Sequence, residues 1–262
     1  MRASDVTRVF DRVFGGPPLV SKGLRRPILA LSLVTVVCLS GFGFAARDSS
    51  RPLLLDSSVD AFLRHTSGWP RGLAELLNEV GNPMIFVTIT AFVALTLVLL
   101  GDHRAALATV MSVAFAVFLV EAVLKPFFDR RLGSLPGPVF PSGHTAISVT
   151  LAGVVTLAAG ADRPLAHFVW PAFRHLLVAI VLIASCAIGV AMIALQFHYM
   201  SDVVSAVPLG LSVSGVTALF LDAFAARWQK AMPIIPTTSG RQTIRSVIQL
   251  PDDDPGPSAS GG

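Results

Sequence analysis

Six long apolar stretches alternate with shorter polar ones along the chain. They run approximately from Ile28 to Ala46, Pro83 to Leu100, Ala105 to Leu124, Thr145 to Ala159, Leu176 to Leu195 and Val203 to Phe220. A helix needs about 20 apolar residues to cross a hydrocarbon core roughly 30 Å thick. Most of the runs approach that length. The fourth is shorter and is expected to borrow residues from its flanks. The pattern predicts an all-α fold, an integral membrane bundle of six transmembrane helices. It divides the chain into an N-terminal segment (1–27), a six-helix domain (28–230) and a tail (231–262).

The polar stretches carry weaker signals. Between the first two spans, Leu73, Leu76, Leu77 and Val80 repeat at i, i+3, i+4 and i+7, following Trp69. This spacing predicts an interfacial helix along the outer surface. In the N-terminal segment Val6, Val9, Phe10, Val13 and Phe14 share one helical stripe, with Arg8 and Arg12 off it. That arrangement fits a helix lying on the inner membrane surface, and equally a loose tail with chance periodicity. The last thirty residues are rich in Pro, Ser, Gly and Asp and end in "LPDDDPGPSASGG". Such a composition predicts a disordered cytoplasmic tail.

Composition agrees with a membrane protein. Of 262 residues, 53% are hydrophobic and 14% charged, against roughly 25% charged in an average soluble domain. Mean hydropathy is +0.70. The net charge of +4 and pI near 9.7 do not point to nucleic acid. The positive residues flank apolar runs, and no basic run is interleaved with aromatics. Cys38 and Cys186 fall inside apolar runs and read as small buried hydrophobes. With a cytoplasmic N-terminus, thirteen lysines and arginines fall in the inner segments and seven in the outer ones. The excess inside places both termini in the cytoplasm, in a cell membrane.

In that topology three polar clusters share the outer face. "LKPFFDRRLG" holds Lys125, Asp129, Arg130 and Arg131; "FPSGHTA" holds Ser142, Gly143 and His144; "LQFHYMSDVVSA" holds His198, Ser201 and Asp202. Each has a plain reading as boundary decoration, and together they have a chemical one. His198 and Asp202, four residues apart, share a face if both lie in the first turn of span six. A carboxylate on one ring nitrogen fixes the tautomer and leaves the other nitrogen to attack. Ser142 and Gly143 open span four, where unpaired N–H groups and the helix dipole favour an anion. His144 is placed to protonate a leaving oxygen. Lys125, Arg130 and Arg131 suit a phosphate carrying about −1.5 to −2. Glu121, one turn before Lys125 inside a span, is expected to pair with it.

These clusters resemble the three signature motifs of the type-2 phosphatidic acid phosphatase family of membrane lipid phosphatases. The motifs run Lys-x6-Arg-Pro, then Pro-Ser-Gly-His, then Ser-Arg-x5-His-x3-Asp. "PSGH" is present in full, and "HYMSDVVSAVPLG" fits the stretch around the family's nucleophile. The resemblance implies a metal-independent phosphatase needing no cofactor and acting on a lipid phosphate, either a phosphomonoester or a diphosphate, at the extracytoplasmic face. It implies that His198 forms a phosphohistidine, that Asp202 supports it, and that His144 is the acid. It implies that Lys125, Ser142 and Gly143 bind phosphate.

Two departures stand out. Leu132 and Gly133 occupy the places of Arg-Pro in the first motif, leaving Arg130 or Arg131 to serve. In the third motif Ala191 and Met192 replace Ser-Arg. An arginine lost from a phosphate cradle removes a bidentate partner. The bond-making groups are retained, so catalysis is the expectation. The competing readings are a relative that binds lipid phosphates without turnover, and a lipid transporter. The second is disfavoured by the scarcity of polar groups at mid-depth in the spans.

Overall fold

Each of the six apolar runs folds as a helix in the computed structural model, which describes residues 10–65, 71–133, 135–160 and 162–231. A short 3-10 turn, Lys22–Leu24, leads into α1 (Arg25–Ala45). Two helices, α2 (Leu54–His65) and α3 (Arg71–Val80), precede α4 (Pro83–Leu99). Next come α5 (His103–Phe128), α6 (Gly143–Ala158), the short α7 (Pro164–Phe168), α8 (Pro171–Ala194) and α9 (Met200–Ala231). Among the described residues there is no strand. Trp69 and the tail beyond Ala231 lie outside the described residues.

Local chemistry sets several helix starts. Asn82 Oδ1 accepts from Met84 N at 3.0 Å ahead of α4, and Asp102 Oδ1 accepts from Ala105 N at 3.0 Å ahead of α5. Proline at the first position opens α4 and α8, where its missing N–H costs nothing. That proline starts α8 at Pro171, earlier than the apolar run alone suggests. Towards the other end of the chain no Pro or Gly lies between Phe220 and Ala231, and α9 continues to Ala231.

Among the described residues, four helices have the length and composition to cross a membrane: Lys22–Ala45, α5, α8 and α9. A fifth span results if α3 and α4, bent by 61° at their junction, are taken together. The expected fourth span, α6, has 16 residues and covers about 24 Å, less than the core thickness. It is nevertheless the most enclosed helix, packed against α5 and α8. It also meets α9 closely. A β-carbon on Gly210 of α9 would lie 2.6 Å from Ala146 O and 2.9 Å from Thr150 N. Ser148, Thr150, Ser212, Ser214 and Thr217 are buried between the helices, while Leu33, Val37, Phe92 and Ile183 are exposed on the outside. Small and hydroxylated residues inside with bulky apolar ones outside is the packing expected in lipid.

The ends of α5 and α9 are marked by separate ion clusters. Far from His198 along α9, Asp222 accepts from Leu19 N (2.8 Å) and Val20 N (2.9 Å). Arg104 reaches the same carboxylate at 3.2 Å and also bonds the carbonyls of Val13, Phe14 and Pro17. Arg163 pairs with Asp102 and bonds Pro17 O. Phe10 stacks on Trp228 and Phe14 packs against Phe224. Residues 10–20 are therefore part of the core, with Phe14, Leu19 and Val20 buried.

Candidate active site

Lys125 opens the last turn of α5, directly after a π-helical stretch, Phe118–Leu124. Such bulges concentrate at functional sites because they re-aim side chains. Lys125 Nζ lies 2.7 and 2.9 Å from the two Glu121 oxygens, the pairing expected from their spacing. The helix then stops abruptly. Asp129 takes a left-handed conformation (φ 39°) and its N–H donates to Lys125 O at 3.0 Å. The loop that follows is tied to the segment after α1: Asp48 N donates to Phe128 O, and Arg131 N to Ser49 O, each at 3.0 Å.

This turn separates the two arginines. Arg131 stays exposed and pairs with Asp129 at 2.9 Å. Arg130 is fully buried. Its Nη1 donates to Asp202 Oδ1 and to Ser201 Oγ, both at 2.6 Å, and its Nη2 to Asp56 Oδ2 at 2.6 Å. Its guanidinium carbon stands 4.3 Å from the centre of the Tyr199 ring.

Asp202 connects this buried cluster to the histidine. Tyr199 N donates to Asp202 Oδ2 at 2.9 Å, and His198 Nδ1 stands 3.5 Å from the same oxygen. That Nδ1 is buried and makes no hydrogen bond. The expectation that both residues sit in one helical turn needs correction. The helix begins at Met200, so His198 lies in the turn before it, and its N–H donates to Met192 O at 3.3 Å. The contact survives because the turn folds back over the start of α9.

Ser142 caps α6. Its Oγ accepts from Thr145 N at 3.5 Å and meets Thr145 Oγ1 at 3.0 Å. Its own N–H donates to Asp202 O at 3.2 Å, which ties the second and third motifs together. Gly143 and His144 are the first two residues of the helix, where N–H groups have no intrahelical acceptor. A β-carbon on Gly143 would lie 2.7 Å from Glu121 Oε1 and 3.6 Å from Lys125 Nζ, so all three motifs converge here. His144 is within electrostatic reach of His198, Lys125 and Glu121. Its ring packs on Gly81, at the α3–α4 bend.

Sequence reasoning missed Asp56. It is fully buried on α2 and accepts from Leu53 N (2.9 Å), Ser201 N (2.8 Å) and Ser201 Oγ (3.0 Å) as well as from Arg130. Burial raises its pKa, but the bonds from Ser201, Arg130 and Leu53 outweigh that and leave it below the usual carboxylate value. An acid in a short amphipathic segment gives no sign in sequence of being buried. Met192, standing where the family has arginine, is also fully buried, with Ala74 and Ala191 and against Leu77 and Leu195. Among the described residues no three His, Cys, Asp or Glu side chains are grouped to hold a metal ion.

Residues 105–225 match the model of the PAP2 superfamily. The fold is similar to the crystal structure of the first transmembrane PAP2-type phosphatidylglycerolphosphate phosphatase from Bacillus subtilis. The TM-score is 0.54 at 13% identity, over 79% of this chain and 98% of that one. No curated protein matches the chain in sequence.

Proposed function

The chain belongs to the PAP2 superfamily through residues 105–225, and on that premise we propose that it is a membrane lipid phosphatase working through a phosphohistidine. The observation that carries the reading is the convergence of His198, backed by Asp202 at 3.5 Å, with the start of α6, where Ser142 N bonds Asp202 O and a β-carbon on Gly143 would lie 3.6 Å from Lys125 Nζ. With Nδ1 on the Asp202 side, Nε2 is the nitrogen left to attack. The substrate is a lipid phosphomonoester or diphosphate whose apolar tail stays in the bilayer.

In the proposed reaction His198 Nε2 attacks phosphorus as the bond to the leaving oxygen breaks. His144 gives its proton to that oxygen. Lys125, Arg131 and the N–H groups at the start of α6 hold the non-bridging oxygens as charge moves onto them. Water then attacks the phosphorus–nitrogen bond, His144 takes its proton, and inorganic phosphate leaves. The six apolar runs support six spans, with α6 as the fourth, and the lysine and arginine distribution supports cytoplasmic termini and a site facing outward. In that topology α3 lies along the outer surface beside His144.

The test is phosphate release by purified protein from a panel of lipid phosphates, including phosphatidic acid, phosphatidylglycerolphosphate and a polyprenyl diphosphate. Release is expected from at least one, with a trappable phosphoenzyme. His198→Ala should lose both while unfolding at the wild-type temperature. Binding of these lipids without release would favour the second reading, a non-hydrolysing lipid-phosphate binder. The specific observation behind that reading is the apolar packing of Met192 where a cradle arginine would stand.

A further inference from the structure

Arg130 offers each Nη nitrogen to a carboxylate, and neither carboxylate belongs to a substrate. Asp202 takes one at 2.6 Å and Asp56 the other at 2.6 Å. Its Nε is buried and without an acceptor. Tyr199 covers its face. A phosphate ligand needs donors that reach the substrate cavity. This side chain is fully enclosed by the groups behind the histidine.

Asp56 has no access to solvent either. Its two oxygens receive four donors from three segments: Leu53, Arg130 and the N–H and hydroxyl of Ser201. It thereby fixes Ser201, the neighbour of Asp202, and balances the guanidinium. Without it Arg130 would stand against Asp202 alone. The pair would be close to neutral, and the carboxylate would attract a growing imidazolium weakly. With Asp56 present the buried group is two carboxylates to one guanidinium. It retains a negative charge beside His198, where positive charge develops as the phosphorus–nitrogen bond forms.

We infer that Asp56 and Arg130 are positioning residues for the nucleophile: together they orient Asp202 and keep its charge available to His198, while phosphate is held by Lys125, Arg131 and the start of α6. The inference rests on the phosphatase reading above and deepens the assignment of its site. It gives α2, which lies outside the three motifs, a part in the reaction.

Two variants test it. Asp56→Asn preserves shape and removes the balancing charge. Arg130→Lys preserves charge but cannot fork between two carboxylates. Each is assayed as full-length protein in nanodiscs, for kcat and KM on a hydrolysed lipid phosphate and for inorganic phosphate binding by calorimetry. Lys125→Ala is the comparison. The expected result is a kcat lowered on the order of tenfold to hundredfold in both variants, with phosphate Kd within about twofold of wild type. Lys125→Ala should weaken phosphate binding. A tenfold or greater rise in phosphate Kd for Arg130→Lys would make Arg130 a ligand and overturn the inference. So would an unchanged kcat in either variant. If Asp56→Asn cannot be recovered folded, Arg130→Lys decides by the same two readings. Absence of turnover in the wild type removes the phosphatase reading and the positioning role with it. A failure confined to the variants removes the positioning role alone.

Discussion

Met192 sits where the resembled motif has an arginine, and its surroundings are apolar. It is fully buried against Ala74 and Ala191, with Leu77 of α3 and Leu195 closing the cluster. A guanidinium introduced there meets apolar atoms instead of phosphate. An unpaired buried charge costs several kcal/mol. Met192→Arg is therefore expected to lower the unfolding temperature in detergent without raising lipid-phosphate turnover. A rise in turnover with unchanged stability would show that the site still has room for the lost cation. The departure itself is legible from spacing alone. What fills the space is not, because Ala74 lies more than a hundred residues away in the chain. Asp56 and Arg130 are hidden for a related reason. Any of several charged residues in these loops could be solvated, and only the turn at Asp129 sends Arg130 inward and leaves Arg131 outside.

At the scale of helices, the proposed catalytic groups are aligned by the contact between α6 and α9. Gly210 lets the two backbones approach until a β-carbon would touch Ala146 O and Thr150 N. Thr150 Oγ1 donates to Gly210 O at 3.3 Å across the same contact. These two atoms are backbone, and the third obstruction, Val149 Cβ at 2.9 Å, is fixed to the backbone, so no rotamer change relieves the clash. Gly210→Ala should destabilise the bundle by about 1–3 kcal/mol, read as a lower midpoint in thermal unfolding. It should also reduce kcat, because α6 carries His144 and α9 carries Asp202. Unchanged stability would mean the helices pack less tightly than the structure has them. The helices themselves were readable from apolar runs. Their ends were less so. Pro171 starts α8 early, α9 runs on to Ala231, and the start of α9 at Met200 leaves His198 in a turn.

Across the whole molecule, α9 links two buried ionic clusters. Asp202 and Asp222 are 20 residues apart in one helix, about 30 Å. One end supports His198. The other holds residues 10–20 through Arg104 and the N–H groups of Leu19 and Val20. Breaking a buried ion pair by removing one partner costs about 3–5 kcal/mol. Asp222→Asn should lower the unfolding temperature and expose the 10–20 segment to proteolysis, while KM for a lipid phosphate stays at the wild-type value. A large change in KM would show that the far cluster communicates with the site. The apolar stripe of this N-terminal segment was visible in sequence. Its burial against Phe224 and Trp228 was not, since a stripe facing protein and one facing lipid have the same composition.

Sequence by itself determined the elements that local composition and short spacing encode. These are the six apolar helices, the three polar clusters, the Glu121–Lys125 pair and the family resemblance. Such features depend on neighbours within a turn or on bulk hydropathy, so no distant residue can alter them. Tertiary structure alone decided which charged side chains are buried and what they face. It enclosed Arg130 between Asp56 and Asp202, seated Met192 among alanines, and brought Gly143 against Glu121. Those outcomes depend on which distant segments meet, and the strength of a charge inside a protein is set by the partners and the dielectric it meets there.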